Sequence, residues 1–196
     1  MMTNHHVIAD ALQAGRAQIS ILYELDIDKR KCDGITVGTA EEPLLYTDPQ
    51  LNVTLVRLTD APRLEHYLPL RPVRLERDQR VAIIQHPGGF LKKISMQNNL
   101  VAHEDECLVQ YYTSTQAGSS GPPVFDDDFA VVAIHHSAVQ DTASADTAHI
   151  RPDPHHSDPK RIEDLQWRNQ GTSMIALLAD RKAKAPSLLA EMTILD

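Results

Sequence analysis

Thr113-Ser114-Thr115-Gln116-Ala117-Gly118-Ser119-Ser120-Gly121-Pro122-Pro123-Val124-Phe125 is a glycine-flanked serine turn set between apolar runs. A serine hydroxyl is a weak nucleophile at neutral pH. An enzyme that uses one must present it on a tight turn, beside backbone N–H groups that can hold a developing oxyanion. Gly118 and Gly121 permit such a turn. The same Gly-x-Ser-Gly pattern is also an ordinary connection between two strands, so the turn alone leaves both readings open.

Its company decides between them. Thr3-Asn4-His5-His6-Val7-Ile8 resembles the Thr-x-x-His segment that carries the general base of trypsin-like serine peptidases, and Gly118-Ser119-Ser120-Gly121-Pro122-Pro123-Val124 resembles their nucleophile loop. Histidine first and serine last is the chymotrypsin-type order. Leu51-Asn52-Val53-Thr54-Leu55-Val56 looks like the strand that bears the triad acid, and Val131-Val132-Ala133-Ile134-His135 like the strand lining the specificity pocket. The nearest resemblance is to the bacterial glutamyl-endopeptidase-like branch. Its short intracellular members carry a segment much like Ile84-Gln85-His86-Pro87-Gly88-Gly89.

The resemblance implies an all-β fold of two packed, six-stranded-type antiparallel β-barrels with a C-terminal helix. Residues 1–62 are then a partial first barrel, residues 73–183 the second barrel with the helix, and residues 184–196 a tail. The histidine motif stands almost at residue 1, ahead of which the family has strands. A fragment, a late start, or an open first barrel completed by another molecule would each account for that.

The resemblance also implies roles. Ser120 is the nucleophile, His6 the general base, and the N–H groups of Gly118 and Ser120 the oxyanion hole. Asn52 stands where the family has aspartate. An amide accepts a hydrogen bond from imidazole but brings no charge to stabilise imidazolium, and the same exchange in trypsin-type enzymes costs about 10⁴ in turnover. An introduced exchange, a natural weakening, and replacement of the acid by nearby Asp48 remain open; Asp48 also reads as the aspartate of an Asp-Pro turn. Thr115 lies five residues before Ser120 and His135 fifteen after it, the spacing at which the glutamyl-specific branch reads an acidic side chain. Ser114 at the pocket floor is uncharged, which disfavours a basic substrate residue. A packed strand histidine is the competing reading of His135.

The remaining features narrow the class. The 196 residues with 42% hydrophobic content suit one domain with a sizeable core. A formal charge of −8 and pI near 5.6 argue against nucleic-acid and anionic-membrane partners, which demand clustered Lys and Arg. Two cysteines, Cys32 and Cys107, with no apolar leader read as a cytoplasmic protein without a disulfide framework. The histidines at positions 86, 149, 155 and 156 lack the recurring spacing of a metal site, and there is no phosphate-binding glycine loop, so neither metal nor cofactor is expected. The expected partner is a peptide or protein substrate.

Local patterns predict a short helix over Val7 to Ala14 ended by Gly15, then a strand at Ala17 to Tyr23 and a turn at Lys29 to Gly34. Further strands are expected at Leu44 to Thr47, Val53 to Leu58, Val81 to Gln85, Leu91 to Met96, Leu100 to His103 and Cys107 to Tyr112. The Pro-rich stretch Pro62 to Pro72 links the barrels, Asp141 to Trp167 is a long polar loop, and Gly171-Thr172-Ser173 caps the last helix. A non-catalytic peptide-binding module on the same fold is the rival reading. An α/β acyl hydrolase is not, because that fold places its nucleophile before its histidine.

Overall fold

The computed structural model describes residues 1–59, 67–97, 99–113, 115, 118–140 and 167–195. Runs of β-branched and aromatic residues become strands, and the polar Gly/Pro/Asp positions between them become turns. In the first half, β1 (Met2–Thr3), β4 (Thr39–Asp48) and β5 (Val53–Leu58) form an antiparallel sheet in the order β1-β5-β4. The hairpin of β2 (Ile19–Ile21) and β3 (Ile35–Val37) stands beside it, and helix α1 (Ala11–Arg16) packs on β4. Ile8, Ala14 and Val56 make the small core there.

The second half is one antiparallel sheet of seven strands: β6 (Ala82–Gln85), β7 (Lys93–Ser95), β8 (Val101–Glu104), β9 (Leu108–Tyr111), β10 (Pro123–Phe125), β11 (Val131–Gln140) and β12 (Trp167–Ser173). Their order is β7-β6-β10-β11-β12-β9-β8. A bridge between Arg80 and Leu100, with Val81 N–H bonded to Asn99 O at 2.8 Å, joins the start of β6 to the start of β8 and curls the sheet back on itself. Ile83, Val109, Tyr111, Val124 and Val132 fill its interior. Val53, Phe125, Val131, Ile134, Met174 and Leu177 form the core that joins this sheet to β5 and to helix α2 (Met174–Lys184). β11 therefore feeds two cores, which is why Val131-Val132-Ala133-Ile134 is apolar without alternation.

Several local expectations need correction. The first helix begins at Ala11, not Val7, because Asp10 is extended and its carboxylate caps Gln13 N–H at 2.8 Å. Gly15 lies inside this helix, and the chain leaves it through an extended Ala17. Residues 167–173 are strand β12, where the sequence reading has only the loop end at Trp167 and the cap at Gly171-Thr172-Ser173; tertiary pairing with β11 and β9 outweighs the weak local pattern. Ser173 does cap α2, accepting Ala176 N–H at 3.1 Å. Most of the predicted polar loop, residues 141–166, lies outside the described residues, as do residues 62–66 of the linker.

Helix α2 is clamped to the first half by an unusual set of contacts. Arg181, fully buried, lies 4.3 Å from the Tyr46 ring centroid and donates to Ala185 O at 3.0 Å. Tyr46 OH donates to Asp180, and Lys184 bridges Asp180 at 2.8 Å and Asp48 at 2.6 Å.

Candidate active site

Three segments remote in sequence converge where the two halves meet. The turn after β1 carries His6, the turn before β5 carries Asn52, and the turn before β10 carries Ser120. His6 Nε2 lies 2.9 Å from Ser120 Oγ, and His6 Nδ1 lies 3.1 Å from Asn52 Oδ1. His6, not His5, faces the serine. His5 Nδ1 instead lies 2.8 Å from Thr47 Oγ1, which bonds Thr54 Oγ1, which donates to Ile8 O at 2.7 Å. That chain anchors the loop from β4 and β5.

The loop is also held from within. Asn4 O accepts the N–H groups of Val7 and Ile8 at 3.1 and 3.2 Å, closing a turn around His6. Asn4, buried completely, donates through Nδ2 to Asn52 O at 3.0 Å. The sequence reading missed Asn4, although its place inside the Thr-x-x-His segment is the signal that could have found it.

Asn52 itself is ambivalent. Its backbone is left-handed at φ +51°, a conformation asparagine tolerates better than most residues. Oδ1 accepts His6 N–H at 3.1 Å, which fixes the amide's orientation. In that orientation His6 Nδ1 sees both Oδ1 at 3.1 Å and Nδ2 at 3.0 Å. If Nδ1 carries the proton it donates to Oδ1, leaving the Nε2 lone pair free to accept the Ser120 proton. If Nδ2 donates to Nδ1, the proton sits on Nε2 and the base is blocked. A carboxylate, having no donor, would permit only the first.

Asp48 does not replace this group. Its Oδ1 accepts the N–H groups of Gln50 and Leu51, both at 2.8 Å, and its Oδ2 pairs with Lys184 at 2.6 Å. Burial raises the Asp48 carboxyl, but the Lys184 bond and the two N–H bonds outweigh it and hold it below the ordinary carboxylate value. Asp48 thus shapes the turn that presents Asn52. Its stabilisation is present above the ordinary aspartate pKa of 3.8 and is lost as pH falls through the lower folded value. Asp48→Ala should destabilise the fold by about 1–3 kcal/mol, through two orphaned N–H groups and an unpaired Lys184. Urea unfolding at pH 7 and pH 3 measures this, and the difference between variant and parent should shrink at the lower pH.

The Ser120 turn is shaped by its two glycines. Gly118 and Gly121 both lie at φ +88°, out of easy reach of other residues. Among the described residues neither the Gly118 nor the Ser120 N–H has a protein acceptor. The Pro87–Gly89 turn backs them, its Gly88 Cα lying 3.4 Å from where a Gly118 Cβ would be. That is the place of the His86-Pro87-Gly88-Gly89 motif: His86 Nδ1 closes its own turn on Phe90 O at 3.0 Å. A cleft of about 440 Å³ opens between this turn and Ser120, lined by Leu68, Ile84, His86, Lys92 and Pro122. Gly121 N–H and His135 N–H bond His135 O and Pro122 O, each at 3.0 Å, tying the turn to β11. Thr172 of β12 donates to Leu51 O, tying the second half to the Asn52 turn.

The family model of the trypsin-like peptidase domain matches residues 1–134, and these contain all three convergent residues. The chain belongs to this family. As a trypsin-like peptidase domain it is 30% identical over its whole length to the uncharacterised protein y4fB of Sinorhizobium fredii, covering 34% of that protein. It is 28% identical to the secreted RxLR effector protein 73 of Plasmopara viticola, over 86% of this chain and 43% of that one. The domain thus spans less than half the length of these relatives. Among solved structures it resembles the active form of the Rv3671c protease from M. tuberculosis, with TM-score 0.60 and 15% identity over 93% of this chain and 67% of that one. Deg5 is similar at TM-score 0.52 and 16% identity, over 69% of this chain and 68% of that one. These likenesses establish the trypsin-like fold. Among the described residues no helix is long and apolar enough to cross a membrane.

Of the two residues expected to read substrate, His135 is tied through its backbone to the Ser120 turn, and among the described residues neither its side chain nor Thr115 lines the cleft beside Ser120. His135 on β11 is 4% exposed, with Nδ1 2.8 Å from Tyr111 OH. Burial, with lesser contributions from the charges of His136 and His6, lowers its pKa to about 4. Burial thus disfavours the protonated ring, in keeping with the reading of His135 as a packed strand histidine. Thr115 Oγ1 donates to Asn169 Oδ1 at 2.5 Å. Ser114 lies outside the described residues. Tyr111 and Asn169 went unnoticed in the sequence because an aromatic in a strand and an asparagine between a polar loop and a helix cap carry no distinguishing local signal.

Proposed function

We propose that this chain is a serine endopeptidase acting through an acyl-enzyme. The observation that carries the proposal is the line Ser120 Oγ, His6 Nε2, His6 Nδ1, Asn52 Oδ1, with contacts of 2.9 and 3.1 Å. Ser120 Oγ attacks the scissile carbonyl carbon while its proton passes to His6 Nε2. The carbonyl oxygen takes up negative charge between the Gly118 and Ser120 N–H groups, each worth about 10²–10³ in rate in enzymes of this type. The intermediate collapses, the C–N bond breaks, and His6 returns the proton to the leaving amine. Water then enters by the same route, with His6 again as base, and releases the acid. Free Cys32 and Cys107 support a reducing, cytoplasmic setting as part of this reading.

A second reading is favoured by one observation, the Asn52 Nδ2 contact to His6 Nδ1 at 3.0 Å. If that amide donor prevails, the groove binds peptides without cutting them. Labelling with a fluorophosphonate probe separates the two, with Ser120→Ala as the blank. Covalent modification of Ser120 is expected in the chain as it stands; failure to label either this chain or Asn52→Asp would leave only the peptide-binding reading.

A further inference from the structure

A line of bonds runs from the last turn of α2 to the turn that carries Asn52. It begins at Lys184, whose Nζ lies 2.8 Å from Asp180 Oδ1 and 2.6 Å from Asp48 Oδ2. Asp48 is buried, and its other oxygen accepts the N–H groups of Gln50 and Leu51, each at 2.8 Å. The next residue is Asn52. One carboxylate therefore spans the helix end and the peptide units directly before the residue that meets His6.

That residue must be held. Asn52 lies at φ +51°, and from there one side-chain oxygen meets both His6 N–H and His6 Nδ1, at 3.1 Å each. A non-glycine residue keeps a left-handed backbone only while its surroundings over-determine it. Among the described residues the side chains that do so are Asn4 on Asn52 O, Thr172 on Leu51 O, and Asp48 on the two N–H groups. Of these three only Asp48 is ionised. A buried carboxylate that loses its cation gains most by turning toward water, which releases the N–H groups it holds.

Lys184 is in turn aimed from its own side. Arg181 is fully buried against the Tyr46 ring, and Tyr46 OH donates to Asp180, the second carboxylate on Lys184. Burial, and then the bond to Asp180, raises the Tyr46 hydroxyl above its ordinary value, so it stays a neutral donor. Two cations thus face two carboxylates, and the last turn of α2 is fixed against β4 two residues before Asp48.

Resting on the protease reading, we infer that Lys184, aimed by Asp180, is a positioning residue that acts through Asp48 on the Asn52 turn, and so on the alignment of His6 with Ser120.

Lys184→Met keeps the stem and removes the charge, at a side chain that is 53% exposed. Fluorophosphonate labelling of Ser120, resolved into probe affinity and the rate of the covalent step, is measured in the parent and in Asn52→Asp, at a temperature where every variant is folded. The covalent step should slow about tenfold in Lys184→Met with affinity unchanged, and Lys184→Arg should restore most of it. Added to Asp48→Ala, Lys184→Met should slow the step no further, because residues that act through one another are not additive. Leu178→Ala, in the core beneath the same helix, is the control for loosened packing and should leave the step as it is. An unchanged step in Lys184→Met, full additivity with Asp48→Ala, or equal slowing in Leu178→Ala overturns the inference and leaves the protease reading intact. If Ser120 labels in neither background, the protease reading falls by itself, and the ¹⁵N spectrum of the His6 ring decides: resonances displaced by Lys184→Met and restored by Lys184→Arg support the inference, and resonances that do not move overturn it.

Discussion

Asn52→Asp is expected to raise peptide hydrolysis and fluorophosphonate labelling by about 10³–10⁴, with little change in the fold. The structure supplies the reason atom by atom. The amide touches His6 Nδ1 with an acceptor at 3.1 Å and a donor at 3.0 Å, so the ring is offered two tautomers. Only the one with the proton on Nδ1 lets Nε2 receive the Ser120 proton over 2.9 Å. A carboxylate in the same place removes the competing donor and adds the charge that stabilises imidazolium as it forms. It can still accept the His6 N–H now taken by Asn52 Oδ1, and aspartate is, like asparagine, tolerated at φ +51°. The measurement is the second-order labelling rate for both chains, with Ser120→Ala in each background. A rise below tenfold would mean that the ring already holds the productive tautomer and that position 52 does not limit the chemistry.

The sequence disclosed those parts of the site that local chemistry demands. A nucleophile turn must have glycines, and the residues at φ +88° are Gly118 and Gly121. Strand β5 runs from Val53 to Leu58 as its β-branched pattern predicts, because both faces of its first four residues are buried. What stayed hidden depends on partners remote in sequence. His135 reads as either a substrate-reading or a packed histidine until its burial and its contact with Tyr111, twenty-four residues earlier, are seen. Asp48 reads as a candidate acid until Lys184, at the far end of α2, is found on its carboxylate. Strand β12 is hidden for the same reason: Arg168-Asn169-Gln170-Gly171 has little strand propensity and is ordered by pairing on both sides. Gly171 tells this most directly. A Cβ there would lie 2.7 Å from Ile134 O, so its glycine records a close approach of β11 that no local pattern reveals.

Gly121→Ala should cut labelling and hydrolysis by about 10² or more while costing the fold about 1–3 kcal/mol, because two independent constraints fall on one residue. The backbone there is at φ +88°, which an L side chain rarely adopts. The added Cβ would also lie 2.8 Å from Thr3 Oγ1 and 3.4 Å from Thr3 Cα. Thr3 is buried and paired through β1 to Thr54, so it cannot swing aside cheaply. The strain is relieved by moving the Ser120 turn or the start of the His6 loop, and either motion lengthens the 2.9 Å contact between them. A shift of about 1 Å at reacting groups is enough for a 10² loss. Thr3→Ser leaves Oγ in place and should not rescue; Thr3→Ala removes that atom and should recover part of the stability but little of the labelling, since φ remains. Paired urea unfolding and labelling rates for the single and double variants resolve the two constraints. Full recovery of labelling in Gly121→Ala with Thr3→Ala would show that the clash alone matters and that the backbone conformation of the nucleophile turn is not what positions Ser120.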